Sequence, residues 1–258
     1  MEIQYSLILF IYVPVLLLLI INTFRDRFEP QNRILKLCNW SLLPATGLIF
    51  FAISWQVILA FWHTNLFTIQ NIFPYNLSNL QIFKFFYYCL SLILVYLLLR
   101  YAYKVRIAEV FSFKLYHFPL ILKVCSIIAV LHILDALGTR KSLPAALIDV
   151  KLLDTQSIIL FSFIAIVVAP IVEEVIFRGL LYGPLYRKTG RYSAIILSSL
   201  IWTYGHSLEI YPSITIFAFG IFIIGIILAW LYDRSGSLLT PIIVHMFQNS
   251  WLIVYLLK

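Results

Sequence analysis

The chain is divided into apolar blocks, each about as long as a helix that crosses a lipid bilayer. About 20 predominantly apolar residues in a helix span the roughly 30 Å of hydrocarbon in a membrane. Hydrophobic residues make up 62% of the 258 residues and charged residues only 12%, whereas a soluble domain is about half apolar and a quarter charged. A soluble core of this size could not bury so much apolar surface. The sequence therefore predicts an all-α fold, a polytopic transmembrane helical bundle.

Eight blocks are candidates for membrane helices. They cover about Ser6 to Asn22, Leu42 to Trp62, Ile82 to Tyr101, Leu120 to Leu137, Ser157 to Tyr186, Tyr192 to Tyr204, Ser213 to Trp230 and Leu238 to Leu257. The fifth block is predicted to be kinked or opened near Pro170, whose ring removes a backbone donor. One membrane domain is the simplest organisation, with residues 1–156 and residues 157–258 as its two successive parts.

Lys and Arg are concentrated in every second connection between these blocks. The odd-numbered connections contain twelve of them and the even-numbered connections three. The twelve are Arg25, Arg27, Arg33, Lys36, Arg100, Lys104, Arg106, Lys114, Arg187, Lys188, Arg191 and Arg234. Because cytoplasmic loops carry the excess of Lys and Arg, the odd connections are predicted to be cytoplasmic and both termini to lie outside the cytoplasm. This bias also accounts for most of the net charge of +8, so no nucleic-acid partner is expected.

Two carboxylates and a guanidinium lie within six residues of the fifth block, in the run APIVEEVIFRG (residues 169–179). A charged side chain near the bilayer centre costs at least about 2.5 kcal/mol, so these groups need polar partners or water. Glu174 and Arg178 are four apart and stack on one helix face, while Glu173 points about 100° away from Glu174. Arg178 can thus neutralise Glu174 and leave Glu173 free to take a proton from water. Alternatively, all three form an ion-pair cluster that fixes helix packing.

Histidines in two later blocks lie at a depth similar to that of Glu173. His206 closes the sixth helix, two residues after the apolar block, and His245 with Asn249 lies in the eighth, where the spacing of four puts both on one helix face. At ~1.5 Å per residue from the predicted cytoplasmic ends, Glu173, His206 and Asn249 lie ~21 Å deep and His245 ~15 Å deep. A single histidine in an apolar helix is more often a packing residue than a catalyst. Polar groups on three helices at similar depth, however, predict one functional site.

The three polar motifs, in this order on successive hydrophobic helices, resemble those of the CPBP family of intramembrane proteases. That family includes the Rce1-type CAAX prenyl endopeptidases and the bacterial Abi proteins. Its motifs Glu-Glu-x-x-x-Arg, aromatic-x-x-x-His and His-x-x-x-Asn are matched here by Glu173, Glu174, Arg178, His206, His245 and Asn249. The resemblance covers about residues 157 to 257. Trp202 stands where the second motif usually has Phe, which keeps an aromatic wall and alters the cleft.

By this resemblance the chain is expected to be an intramembrane endopeptidase whose catalytic helices lie in residues 157–258. Glu173 with His206 would activate a water, and His245 with Asn249 would stabilise the oxyanion of the tetrahedral intermediate. Glu174, Arg178 and Trp202 would support these groups, and no cofactor or metal would be required. The substrate would be a membrane-embedded or membrane-anchored protein or peptide, within the lipid bilayer of a bacterial cell membrane.

Two other functions fit the same polar residues. A zinc-dependent membrane hydrolase would use His206, His245 and a glutamate as ligands, although the chain has no His-Glu-x-x-His motif. A proton-coupled transporter, or a non-catalytic scaffold of the same fold, would use the intramembrane Glu and His together with His132 and Asp135. These last two residues are three apart and are also spaced to form a packing hydrogen bond. Proteolysis that survives chelation would favour the protease over the zinc enzyme, and substrate flux without cleavage would favour the transporter.

The charge asymmetry predicts where reporters fused to the chain will lie. A reporter placed after Lys258 should lie outside the cytoplasm, and one inserted in the turn between Arg187 and Arg191 should lie inside, because the basic connections are predicted to be cytoplasmic. Paired alkaline phosphatase and fluorescent-protein fusions at both sites measure this. Opposite locations at both sites would contradict the orientation, and agreement at only one would show that a predicted helix has been miscounted.

Overall fold

The computed structural model describes residues 77–102, 118–138, 155–207 and 214–256, together with Gly47, Lys104, Arg106, Ser112 and Phe113. Regular structure within these ranges is helical, and no strand occurs in them. The all-α prediction is therefore confirmed for this part of the chain. The first two predicted blocks lie outside the described residues, apart from Gly47, so the total of eight spans stays a prediction. The division of the chain at residue 157 also stays a prediction.

The described ranges contain helices that correspond to the third through the eighth predicted blocks. They are α1 Leu77–Leu97, continued by a π-helical turn at Leu98–Ala102, α2 Phe118–Gly138, α3 Thr155–Thr189, α4 Arg191–Ser207, α5 Ile214–Ser235 and α6 Leu239–Leu256. Their bounds differ from the predicted ones by a few residues. Among the described residues, the stretches Lys84–Tyr101 and Thr155–Thr189 are long and apolar enough to cross a membrane.

Helix α3 contains two π-helical stretches and continues through Pro170 without interruption. The backbone widens to a π-helix at Ile164–Val168 and again at Val175–Tyr182. At the end of the first stretch, the Ala169 N–H donates to the carbonyl of Ile164, five residues earlier. A π turn contains one residue more than an α turn and is therefore wider. The helix widens in this way just before Pro170, which has no backbone N–H to donate, and then returns to α-helical geometry. The opening predicted near Pro170 therefore takes the form of a π stretch.

Two glycine turns set neighbouring helices side by side. Gly190 joins α3 to α4 with φ 84°, and Gly236 follows α5 with φ 60°, both in the region that favours glycine. Helix α4 consequently packs against the C-terminal part of α3 and along α5. Helix α6 packs on α2, on α5 and on α3 around its first π stretch, and α1 packs on the N-terminal half of α3. The polar residues of the sequence motifs all lie on α3, α4 and α6.

Large apolar side chains remain exposed on the helices of the bundle. Phe86, Tyr101 and Ile159 are 65%, 70% and 64% exposed, respectively. Soluble monomers rarely expose apolar side chains over large contiguous areas, whereas lipid tails cover them at no cost. Together with the two helices of membrane-spanning length, this surface is that of a membrane protein.

A close contact between helices α4 and α5 depends on Gly225. A methyl group built on Gly225 would lie 3.0 Å from Trp202 Cε3 and 3.1 Å from Ser199 Cβ, closer than nearly all such contacts in proteins. Ser199 is fully buried, and its hydroxyl donates to the Ile195 carbonyl within α4. The absent side chain at position 225 therefore lets Trp202 and Ser199 approach the backbone of α5 closely.

Replacing Gly225 by alanine should destabilise the protein more than the same change at Gly220. The added methyl at position 225 must displace Trp202 or the α4 backbone, at a cost of about 1–3 kcal/mol. At position 220 the added methyl has nothing within 4 Å. Thermal unfolding of both variants in detergent measures the difference, which should be several degrees for a chain of this size at ~2–4 °C per kcal/mol. Equal melting temperatures would show that the helices do not depend on this contact.

Candidate active site

Arg178 is completely buried and contacts groups from three helices. Its Nη1 donates to Glu174 Oε1 at 2.9 Å, one turn earlier on α3, as the spacing in the sequence predicts. Its Nη2 donates to the carbonyl of Gly225 on α5 at 3.0 Å. The guanidinium also lies 5.2 Å from the ring centroid of Trp202 on α4, a cation–π contact. The ion pair is therefore the point at which α3, α4 and α5 meet.

Glu174 joins this ion pair to helix α6. Its Oε1 accepts a hydrogen bond from His245 Nδ1 at 3.0 Å in addition to the one from Arg178. Both Glu174 and His245 are almost fully buried, at 0% and 2% exposure. An ionised carboxylate beside Arg178 is an acceptor only, so the proton of this bond belongs to His245 Nδ1. Glu174 thereby fixes both the ring orientation and the tautomer of His245.

Glu173 points away from Arg178, toward side chains of α4 and α6. Its Oε2 accepts a hydrogen bond of 2.7 Å from Trp202 Nε1. The same oxygen lies 3.7 Å from His206 Nε2 and 4.0 Å from His245 Nε2. The sequence predicted that Glu173 would be left without Arg178, and the geometry agrees. The hydrogen bond from Trp202 was not predicted from the sequence. The signal was present, because an indole has an N–H donor that the phenylalanine usual at this position of the motif lacks.

His206 presents the same ring nitrogen to Glu173 as His245 does. Its Nδ1 lies 3.0 Å from the carbonyl oxygen of Trp202, one turn earlier on α4. Because a carbonyl only accepts, Nδ1 must carry the proton of this bond. In their neutral forms both histidines therefore direct an unprotonated Nε2 at the carboxylate of Glu173. A tilted contact with the Trp202 ring, with centroids 4.4 Å apart and planes 56° apart, further restrains the His206 ring.

The exposed fraction of the side chains decreases from His206 through Glu173 to His245. The side chain of His206 is 30% exposed, that of Glu173 15%, and that of His245 3%. His206 also lies at the end of α4 that is remote from the basic turn at Arg187 and Lys188. Accessibility therefore decreases along this series, and Glu174 and Arg178 are fully buried.

Asn249 makes a contact that the sequence did not indicate. Its Nδ2 donates to the backbone carbonyl of Ala165, in the first π stretch of α3, at 2.8 Å. The expected partnership with His245 has the right spacing, since the two residues lie one turn apart on α6. The structure thus brings Glu173, Trp202, His206 and His245 together directly and attaches Asn249 to the same helix that carries Glu173.

His132, the other intramembrane histidine considered from the sequence, lies apart from this group. Its Nε2 is 3.2 Å from Gln248 Oε1, and its ring stacks on Trp251 with centroids 5.4 Å apart. These contacts join α2 to α6. The side chain of Asp135, its expected partner, lies outside what the structure describes.

The side chains around Glu173 match the donor types that zinc binds. Two histidines and a carboxylate are a known zinc-binding combination, but ligands of a tetrahedral zinc, each ~2.1 Å from the metal, are about 3.4 Å apart. Here Glu173 Oε2 is 3.7 and 4.0 Å from the two Nε2 atoms and already accepts the hydrogen bond from Trp202. Among the described residues, no group of three or more His, Cys, Asp or Glu side chains is spaced to hold a metal ion. The residue types fit zinc, and their spacing does not.

The part of the chain that carries the motifs is similar to membrane peptidases of the CAAX type. Residues 155–251 match the sequence model of the family described as "Type II CAAX prenyl endopeptidase Rce1-like". This segment contains each residue of the three motifs. The resemblance recognised from those motifs is therefore confirmed over residues 155–251.

Two curated relatives resemble part of the chain. The first, from Bacillus subtilis (strain 168), carries the name "Putative membrane peptidase YdiL" and is 29% identical over 126 residues, covering 47% of this chain and 46% of the relative. The second, from Staphylococcus aureus (strain USA300), is named "Membrane-embedded CAAX protease MroQ" and is 31% identical over 106 residues, covering 39% of this chain and 40% of the relative. The matches thus span less than half the length of these relatives. No solved structure matches the chain.

Replacing Trp202 by phenylalanine should impair the site through the loss of one N–H group. A hydrogen bond to a charged group contributes about 1.5–3 kcal/mol. Without this bond, the Glu173 carboxylate loses the contact that fixes its Oε2, so the rate of peptide cleavage should fall by about 10- to 100-fold. The rate is measured with purified protein in detergent.

Trp230→Phe is the matched control for this change. The Nε1 of Trp230 is buried and has no hydrogen-bond partner among the described residues, so its removal costs no bond. The rate of peptide cleavage by Trp230→Phe should equal that of the wild-type protein. Equal rates for Trp202→Phe and the wild-type protein would show that the Trp202 bond does not position Glu173 for the reaction.

Proposed function

We propose that this protein is an intramembrane endopeptidase that uses Glu173 and His206 to activate water. The observation that carries the proposal is the convergence of two histidine Nε2 atoms on one oxygen of Glu173 that Trp202 holds in place. Titratable residues that are closely grouped in a partly buried site are typical of catalysis. The match to the Rce1-like family over residues 155–251 supports peptide-bond hydrolysis as the reaction.

The separation between Glu173 and His206 suits a bridging water. At 3.7 Å, Glu173 Oε2 and His206 Nε2 are too far apart for a direct hydrogen bond. A water placed ~2.8 Å from each would donate one proton to each acceptor and keep its oxygen lone pairs for attack. As this oxygen bonds to the scissile carbonyl carbon, one proton passes to Glu173 or His206. The same proton then moves to the amide nitrogen, which leaves as an amine when the C–N bond breaks.

His245 and Asn249 would stabilise the negative charge that develops on the carbonyl oxygen. To donate from Nε2, His245 must carry a second proton, and the carboxylate of Glu174 at Nδ1 stabilises that charged ring. An amide nitrogen has two hydrogens, so Asn249 can bond the Ala165 carbonyl and still donate one to the oxyanion. Donors that are held in place before the reaction act without reorganisation, and each is worth ~100- to 1000-fold in rate.

The substrate of this reaction would be a protein or peptide embedded in, or anchored to, the membrane. Glu173 lies about 21 Å along α3 from Arg187 in the basic turn, at a depth that matches the interior of a bilayer. The protein named MroQ is described as a membrane-embedded CAAX protease, and we propose a substrate of the same membrane-associated kind here. By the charge distribution of the loops, the enzyme would be a multi-pass protein of a bacterial cell membrane, with both termini outside the cytoplasm.

A zinc-dependent hydrolase is the second candidate function, because two unprotonated Nε2 atoms and a carboxylate face one another. As observed, His206, His245 and Glu173 are too widely spaced to hold the ion, so the zinc enzyme would require the three side chains to move closer together. The two candidate functions differ in how their activity responds to a chelator. Activity of the glutamate enzyme is independent of chelators, whereas activity of the zinc enzyme is lost with a chelator and restored by zinc.

Glu173→Gln should abolish proteolysis while the protein still inserts and folds. The amide keeps the shape of the side chain and cannot accept a proton from water, so turnover should fall by at least ~100-fold. The measurement is comparative proteomics of membranes that contain wild-type or Glu173→Gln protein, in search of a peptide whose processing disappears. The purified proteins are then assayed on that peptide with and without a chelator.

The Trp230→Phe variant and the melting temperature of Glu173→Gln are the controls for this experiment. Trp230→Phe should process the peptide normally, and Glu173→Gln should unfold near the wild-type temperature. Near-normal turnover by Glu173→Gln would disprove the role of Glu173 as general base. Loss of wild-type activity with a chelator and its return with zinc would replace the glutamate mechanism with the zinc mechanism.

A further inference from the structure

The carbonyl oxygen of Ala165 lies where helix α3 supplies no regular backbone donor. In an α-helix its partner would be the N–H of Ala169, four residues later, but that N–H donates to Ile164 instead. In the π-helical pattern its partner would be residue 170, which is a proline and has no N–H. The π stretch and Pro170 together therefore leave this carbonyl without either helical partner.

Asn249 supplies the missing donor from another helix. Its Nδ2 lies 2.8 Å from the Ala165 oxygen. A peptide carbonyl that has neither water nor a donor is unfavourable, particularly at membrane depth, so the bond is strongly selected over other rotamers of Asn249. The bond uses one of the two amide hydrogens and fixes the plane in which the other lies.

We propose that Pro170 is a positioning residue for Asn249. By withholding one backbone donor, the proline creates the acceptor that holds the Asn249 amide in a single orientation beside the site. Pro170 lies three residues before Glu173, so one short segment of α3 presents the proposed base and also orients the proposed oxyanion donor. The catalytic part of this inference rests on the proposed function, whereas the structural coupling of Pro170 to Asn249 does not.

A double-mutant cycle tests the coupling without any assay of activity. Pro170→Ala restores an N–H five residues after Ala165, which can take over the bond to its carbonyl. Asn249→Ala should therefore lower the melting temperature by several degrees in the wild-type chain and by less than about half as much in the Pro170→Ala chain. Equal losses in the two backgrounds would overturn the proposal.

Pro184→Ala provides the matched control for the cycle. Pro184 follows the second π stretch of the same helix, as Pro170 follows the first. Asn249→Ala should lower the melting temperature as much in the Pro184→Ala chain as in the wild-type chain. A reduced loss there too would show that any proline replacement in α3 has the effect, and would overturn the specific link to Pro170.

The Asn249 side-chain amide gives a direct spectroscopic signature. With ¹⁵N-labelled asparagine, the amide signal that disappears in Asn249→Ala identifies this residue. Its hydrogen-bonded proton should exchange slowly with solvent in the wild-type protein, and at least ~10-fold faster in Pro170→Ala. Unchanged exchange would mean that the proline does not determine the orientation of the amide.

Kinetics on the peptide found by proteomics test the catalytic part. Pro170→Ala should lower kcat by about 10- to 100-fold with little change in KM, because misplacing a transition-state donor by ~1 Å costs up to ~100-fold. Unchanged kcat, together with a coupled thermal cycle, would overturn Pro170 as a positioning residue for catalysis. Absence of any proteolysis by the wild-type chain would instead contradict the proposed function and leave the thermal and spectroscopic results to decide the coupling.

Discussion

The rest of the site depends on the burial of Arg178. A guanidinium is not deprotonated in proteins, so a fully buried one requires a counter-charge and further acceptors. Glu174 and the Gly225 carbonyl meet this requirement, and the indole of Trp202 covers one side of the charge. Each of these partners has a second contact: Glu174 with His245, Trp202 with Glu173, and Gly225 with the surface of α4. One obligatory charge thus determines how four helices are arranged around Glu173.

The adjacent carboxylates have different chemistry because of this arrangement. Glu174 is completely buried, and one of its oxygens already accepts from Arg178 and His245. Glu173 is partly exposed and accepts one hydrogen bond from a neutral donor, which leaves its oxygen able to approach a water or a substrate. A rotation of about 100° between successive residues of a helix is enough to produce this division of roles. Neither carboxylate could be exchanged for the other without moving the charge of Arg178.

Features local to one helix could be predicted from the sequence, and contacts between helices could not. The apolar blocks located α1 to α6 to within a few residues, and the spacing of four placed Arg178 against Glu174, since helix geometry determines both. The bonds from Trp202 to Glu173 and from Asn249 to Ala165 depend on how each helix is rotated about its axis. That rotation follows from the small residue at position 225 and from the π stretches in α3. Neither the small residue nor the π stretches produce a periodic pattern in the sequence. The sequence does show a tryptophan where the motif usually has phenylalanine and a proline shortly before the two glutamates, and these residues are involved in the two contacts.

The π stretches also uncouple the two ends of α3 in rotational phase. One extra residue in a turn shifts every later side chain by about 100° relative to an unbroken α-helix. The segment Thr155–Phe163, which packs on α1, and the segment Gly183–Thr189, which packs on α4, are each separated from Glu173 and Glu174 by such a shift. Gain or loss of one residue in a π turn can therefore change, during evolution, which face of each end of α3 packs on the neighbouring helices. The orientation of Glu173 and Glu174 toward α4 and α6 is unaffected by such a change. Helix α3 thus consists of three α-helical segments on a common axis, and the rotation of each about that axis is set independently.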